Sequence, residues 1–348
     1  MKGQLLSATH AASFGAKLAV VESVPHFPAP FSVDIANSLQ KIHKCDIFEV
    51  ESAGSAFSAA LGLSAAGKRV LVPCSSPLSS EVFSSPFMRL PFTAVNVSRT
   101  GTKSDHTAVM ALRDSGYLMF FPESNQEIYD TVSQSYRVGE DAKVLLPSII
   151  NIDGVHNFSE TVQTSNDNKG FLFKTPKRLD TKKPSVLDLS AENYDELKLQ
   201  QHKAMENALD LIAKTDEKWG QKFKRSYGLI EKFMTADAEI IIVMMGYHTA
   251  TAKAAVQKMR AAGKKVGILR IRVFRPWPAA QVAAALANAK KIVVFDQAVS
   301  LGAGSILAAH IRRPTSSVIS LGKYPSEKDF ADIIEKVSKS EKEIKLWL

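Results

Sequence analysis

Small and apolar residues recur at helical spacing from Ala8 to Val21, whereas Val70–Val72, Phe92–Val97 and Val144–Ile152 are short apolar runs next to turn or polar residues. The first pattern predicts a helix and the others predict strands. Ser55–Ala66 is mostly Ala, Ser and Gly, so it predicts a helix with little bulk that can come close to another backbone or a bound group. Helix-like and strand-like segments alternate through residues 1–165, which argues for a parallel sheet covered by helices on both faces.

From Thr164 to Ser185 the chain turns polar, rich in Asn, Lys, Asp and Pro, as an exposed linker does. Residues 192–234 then carry Leu197, Leu199, Met205, Leu209, Ile212 and Phe223 among many charges, the pattern of a helical connecting arm. A second α/β unit begins with the apolar run Ile240–Met245 and a turn at Gly246. Thr249–Ala262 is helix-like and ends at Gly263, Val266–Val273 is strand-like, Ala279–Ala289 is amphipathic, and Lys291–Phe295 leads through Leu301–Gly304 into Ile306–Ile311. Strand, helix, strand, helix, strand is the order of a three-layer wound unit. Glu335–Lys345 predicts a charged, solvated helix. The expected organisation is one domain over 1–165, a polar linker and helical arm over 166–235, and a second α/β domain over 236–348.

Composition narrows the function classes. A chain of 348 residues with 45% hydrophobic and 23% charged residues can bury more than one core and is not disordered. His10 and Lys17 interrupt the apolar positions of Met1–Ala19, so neither a signal peptide nor a membrane helix is expected there, and the expected location is the cytoplasm. Cys45 and Cys74 form no CxxC pair and cannot supply four thiolates to an iron–sulfur cluster; they predict two reduced, partly buried thiols. The charge of +9 suits a nucleic acid, an acidic protein or simple solubility. No zinc-finger, RRM or helix-turn-helix pattern accompanies the basic runs Lys174–Lys183 and Lys222–Arg225, so nucleic-acid binding would rest on charge alone and is not expected.

Four stretches carry a more specific signal: Ala8–Ala19; Phe48–Arg69, in which Glu51-Ser52-Ala53 precedes the small-residue run; Asp105-His106 followed by Arg113–Gly116 and Glu123–Asp130; and Gly267–Pro278. With Leu146–Gly154 between them, and in this order, they resemble the alpha-type subunit of the thiamine-diphosphate-dependent 2-oxoacid:ferredoxin oxidoreductases, the pyruvate synthase family. The resemblance implies a pyrimidine-binding-type, three-layer α/β thiamine diphosphate domain followed by a transketolase-C-terminal-like α/β domain. It implies a cofactor lying between chains, with the aminopyrimidine on this side and the diphosphate and its Mg²⁺ on a beta-type subunit. No GDG-plus-Asn diphosphate signature occurs here. Further implied partners are a gamma-type subunit, an iron–sulfur (delta-type) subunit with [4Fe–4S] clusters, ferredoxin, coenzyme A and a 2-oxoacid, with pyruvate as the default.

Thiamine chemistry needs a carboxylate beside N1′ of the aminopyrimidine, because a proton held there promotes deprotonation at C2. The family's Glu-Ser-Glu triplet places that carboxylate at its third position, where this chain has Ala53. Glu51 stands two residues earlier and is the candidate acid, with a hydrogen-bonded strand-end carboxylate as its structural alternative. Ser55 and Ala53 border the same implied cofactor position. Where the family has a Thr that contacts the substrate carboxylate, His26–Pro30 places Ala29. Arg99 is the nearest counterpart of the family's carboxylate-binding arginine, a task that suits an always-charged, bidentate guanidinium; the alternative is a solvated surface arginine. Asp105 and His106 keep the family order and border either cofactor or subunit contact, or else form a helix cap with a neighbouring surface histidine. Ser300–Gly304 resembles a phosphate loop but lacks the full glycine pattern, and predicts a tight turn. Ala29 and Ala53 together leave two readings: an active subunit with an altered site, or a non-catalytic scaffold that keeps fold and interfaces.

Overall fold

The computed structural model describes residues 2–75, 80–98, 104–153, 159–173 and 194–348. Five strands form the first sheet in the order Val273–Arg275, Leu118–Phe120, Ser148–Asp153, Thr93–Ser98 and Leu71–Cys74, parallel except for the first pair. Successive residues of these strands enter different cores: Leu71, Val95, Leu118 and Ile150 pack under the helices Ala8–Leu18 and Asn125–Gly139, while Val72, Ala94, Met119 and Ile149 pack on the other face. Burial on both faces explains why these strands read as continuous apolar runs and not as alternating ones. The small-residue character of the first helix has a direct use, since a Cβ on Gly15 would lie 2.6 Å from the Tyr129 carbonyl of the helix packed against it.

The second sheet has six strands in the order Lys345–Trp347, Ser316–Ile319, Lys291–Asp296, Ile240–Met244, Val266–Ile271 and Ile230–Phe233, with only the last antiparallel to its neighbour. Ile241, Val243, Leu269 and Ile271 share a core cluster with Val72, Met119 and Ile149 of the first sheet. The protein is a mixed α/β fold built on two largely parallel sheets.

Three local expectations are corrected. Among the described residues, the arm expected over 192–234 is helical over Tyr194–Phe223 and not beyond it. Asp216 ends it: its Oδ2 accepts hydrogen bonds from Ser226 Oγ, Tyr227 N and Gly228 N, each at 2.7 Å, and the chain reverses through Lys224 and Gly228 at positive φ into the strand Ile230–Phe233. The strand expected over Val266–Val273 breaks after Ile271, and Val273–Arg275 crosses to the first sheet. The last helix lies at Glu327–Lys339, started by a Ser326–Asp329 capping box, and Lys345–Trp347 is an edge strand.

A buried ionic layer joins the halves of the chain. Arg270 and Arg272, 2% and 0% exposed, both donate to Glu127 on the helix Asn125–Gly139. Asp130, one turn along, accepts from Arg225 Nε and Nη2 at 2.8 Å.

Candidate active site

The parallel strands of the first sheet end together at Cys74, Ser98 and Asp153, and the carboxyl edge of such a sheet is where α/β proteins form binding crevices. Beside Cys74 lies a cavity of about 160 Å³ walled by Phe27, Ala29, Ala53, Ala56, Val72 and Cys74. Thus Ala29 and Ala53, far apart in sequence, face one space. Its floor continues into a buried polar strip: Cys74 Sγ donates to Asn96 Oδ1 at 3.8 Å, Asn96 Nδ2 donates to Asn151 Oδ1 at 2.8 Å, and Ser98 Oγ donates to the same oxygen at 2.6 Å. Burial pushes the Cys74 thiol up to about 12, so it is a neutral donor and no nucleophile at neutral pH.

The N-terminus of the helix Ala53–Ala65 borders this cavity. Ser52 caps it, accepting from Ser55 N at 3.0 Å. Glu51 Oε1 accepts from Ser55 Oγ at 2.7 Å, which holds its carboxyl below the ordinary value; the side chain is solvent-exposed and is not part of the cavity wall. Glu81, from the single turn Ser80–Phe83, lays its carboxylate against Gly54, where an added Cβ would stand 2.9 Å from Oε2. The lining suits an aminopyrimidine in its apolar character and single-ring size. The ring's polar edge needs a carboxylate; among the described residues, Glu51 and Glu81 are acids beside the start of the helix, and neither lines the cavity.

Asp105 and His106 belong to a different cluster. Asp105 Oδ1 accepts from Thr107 N at 2.7 Å, as in a turn cap. His106 is fully buried, not at the surface: its Nε2 bonds Asp153 Oδ1 at 2.5 Å, and Asp153 also accepts from Ser104 Oγ and from Tyr247 N at 2.8 Å. The His106 amide donates to the Gln297 carbonyl at 2.8 Å, so the cluster stitches the first sheet to loops of the second. Asp153 lies in the Leu146–Gly154 stretch that shares in the family resemblance, but it was not singled out as a site residue; its signal was a carboxylate at the end of an apolar strand. Arg99 lies outside the described residues. Ser300–Gly304 is the turn of a small hairpin in which Val299–Ser300 pairs with Gly304–Ser305.

Burial is the largest single influence and disfavours a charged His106, but the carboxylates around it, Asp153 foremost with Asp296 and Asp105, together outweigh burial and raise its pKa above the ordinary value. A raised value in the folded state stabilises the protein fully below the unfolded pKa, about 6.5, and the contribution is lost as pH rises through the folded value. The melting temperature of wild type minus that of His106→Gln is therefore expected to be largest near about pH 5.5 and to shrink at alkaline pH. A difference that stays constant across that range would show that this pair is not the source.

Two wound, mostly parallel sheets with a ring-sized cavity at a carboxyl edge place the chain in the class of wound α/β proteins with a crevice at the strand ends. It shares its fold with a split-gene transketolase (TM-score 0.52, 12% identity, covering 97% of this chain and 98% of that one). It also matches a 2-oxoglutarate:ferredoxin oxidoreductase from Magnetococcus marinus, with 2-oxoglutarate, coenzyme A and succinyl-CoA bound (TM-score 0.69, 15% identity, 96% of this chain). The chain spans 65% of that longer protein. Residues 24–218 match the family described as pyruvate flavodoxin/ferredoxin oxidoreductase, thiamine-diphosphate-binding, and residues 238–325 match core domain II of pyruvate:ferredoxin oxidoreductase. The pyruvate synthase subunit PorA of Methanothermobacter thermautotrophicus is 33% identical over 88% of this chain and 86% of its own length. The PorA of Thermotoga maritima is 34% identical over 81% and 77%. The chain belongs to the pyruvate flavodoxin/ferredoxin oxidoreductase family and is an alpha-type subunit of a 2-oxoacid:ferredoxin oxidoreductase. Among the described residues no helix is long and apolar enough to cross a membrane.

Proposed function

We propose that this chain is the pyrimidine-side subunit of a cytoplasmic complex that carries out coenzyme A-dependent oxidative decarboxylation of a 2-oxoacid, or the reverse, with electrons passing to ferredoxin. Pyruvate is the default substrate. The observation that carries the reading is the apolar cavity in which Ala29 and Ala53 meet, at the two positions where the family motifs place substrate and cofactor contacts.

Thiamine diphosphate, when bound, supplies the carbon nucleophile for the 2-oxo carbon. Phe27, Ala56, Val72 and the neutral Cys74 thiol would surround its aminopyrimidine and keep water from it. A carboxylate at the start of the helix Ala53–Ala65 would hold the proton at N1′. Arg99 is the proposed partner of the substrate carboxylate, which a guanidinium binds through two parallel hydrogen bonds. The diphosphate with its Mg²⁺ falls to a beta-type partner. The [4Fe–4S] clusters fall to partner subunits, the delta-type one being the iron–sulfur subunit, since this chain has only two cysteines, Cys45 and Cys74, both free.

The test is purification through a tag on this chain. Partner chains bearing iron–sulfur clusters are expected to co-purify, and the complex is expected to reduce ferredoxin when given a 2-oxoacid and coenzyme A. Recovery of the chain as a stable, active monomer would refute the subunit reading. Among the described residues the cavity wall carries no carboxylate, which favours a second reading, a scaffold subunit. An assembled complex that binds thiamine diphosphate but neither exchanges its C2 proton nor turns over would select it.

A further inference from the structure

We propose that Phe31 is a positioning residue for the ligand of the cavity: held at a φ of 68°, it fixes segment 27–31 so that Phe27 and Ala29 stand as a preformed wall, a role that rests on the functional reading above. The order Phe27-Pro28-Ala29-Pro30-Phe31 leaves this backbone few alternatives. Each proline fixes its own φ near about −65° and disfavours helical backbone at the residue before it. Phe27, Pro28, Ala29 and Pro30 are therefore all restricted, and the first position at which the chain can reverse is Phe31. A reversal is needed there. Ala29 lines the cavity beside Val72, which belongs to the core on one face of the first sheet, whereas Phe31 packs against the core on the other face.

A left-handed φ is disfavoured for a bulky aromatic residue and persists only where the surroundings hold it. Here they hold it from both sides. Ser75 Oγ, itself on the cavity wall, donates to the Pro30 carbonyl at 2.8 Å. The Ala29 carbonyl accepts from Ser32 Oγ and from Val33 N, each at 3.1 Å, and the Ala29 amide donates to the Phe27 carbonyl at 2.7 Å. The helix Val33–Ile42 follows at once and buries Ile35 and Leu39 in the core that Phe31 packs against, which secures the far end. Ala29 has a single methyl group and no rotamer with which to adjust to a ligand. Its place in the wall is set by the backbone alone, and the residue that sets the backbone is Phe31.

The test uses the purified complex containing this chain, freed of cofactor, and makes two measurements: calorimetric titration with thiamine diphosphate and Mg²⁺, and amide exchange of the unliganded complex. Phe31→Gly keeps the native φ accessible but admits many others and removes the anchor. It is expected to raise the Kd for thiamine diphosphate about 10-fold at unchanged stoichiometry, the cost of ordering a wall that the wild type holds ready. Exchange at the Ala29 and Val33 amides is expected to quicken with it. Phe31→Leu, which keeps both Cβ and an apolar anchor, should stay near wild type in both measurements. Ser75→Ala should act in the same direction, and its effect should add less than independently to that of Phe31→Gly, because both loosen one segment. A fall in stoichiometry at unchanged Kd in Phe31→Gly is what loss of folded protein alone produces, and it would overturn the proposal. Exchange at wild-type rates in Phe31→Gly would overturn it as well. A wild-type complex that does not bind thiamine diphosphate would instead sink the functional reading, and the role of Phe31 with it.

Discussion

Replacing Glu127 with Ala is expected to destabilise the folded chain by about 3–5 kcal/mol, the usual cost of leaving a buried charge without its partner. Glu127 accepts from Arg270 Nη1 at 2.9 Å and from Arg272 Nε at 3.0 Å, and all three side chains are buried. Arg270 would keep Glu231 at 2.8 Å. Arg272 would keep only neutral acceptors, Gln134 at 2.7 Å, Thr131 at 3.1 Å and the Gly228 carbonyl at 3.1 Å. The loss would also unfasten the strands of the second half of the chain from the helix Asn125–Gly139. Urea denaturation of the full chain measures this directly. Lys328→Ala, which removes an exposed pair with Asp332, is the control and should leave the urea midpoint essentially unchanged. Equal midpoints for the two variants would show that the buried layer does not hold the halves together.

The second large effect is expected at Trp219. Its ring is 1% exposed and packs on Phe171 at 4.7 Å and Phe223 at 4.2 Å between ring centres. Trp219→Ala should cost about 3–5 kcal/mol through lost burial and the cavity left behind. The effect should concentrate on the helix Tyr194–Phe223, whose buried residues Ala204, Ala208, Ile212, Thr215, Trp219 and Phe223 form one stripe along its length. Amide exchange should therefore quicken in that helix before it does in the strands of the first sheet. Uniform quickening across the chain would count against a local docking role.

The parallel strands and the helices between them were legible because periodicity registers burial, and burial on both faces leaves a continuous apolar run. The failures share a cause. The breaker that the pattern offers between Lys224 and Phe233, Gly228, lies beyond the last helical residue, Phe223; the chain turns before it because Asp216, eight residues before Lys224, captures three donors at once. Likewise Val266–Val273 reads as one strand, and only the two sheets competing for its ends divide it at Arg272. Asp105-His106 looked like a surface pair because its partner, Asp153, is 47 residues from His106.

The sequence by itself determined the family, the wound α/β class, the shortage of cysteine ligands and the two small residues, Ala29 and Ala53, where the motifs lead one to expect a hydroxyl and a carboxylate. These are properties of residue type and order, which need no coordinates. Tertiary structure decided that Ala29 and Ala53 share a cavity, that Glu51 faces solvent, and that a carboxylate from the separate turn Ser80–Phe83 lies against Gly54. Contacts between residues distant in the chain depend on how sheets and helix ends pack in three dimensions, and sequence spacing carries no record of that distance.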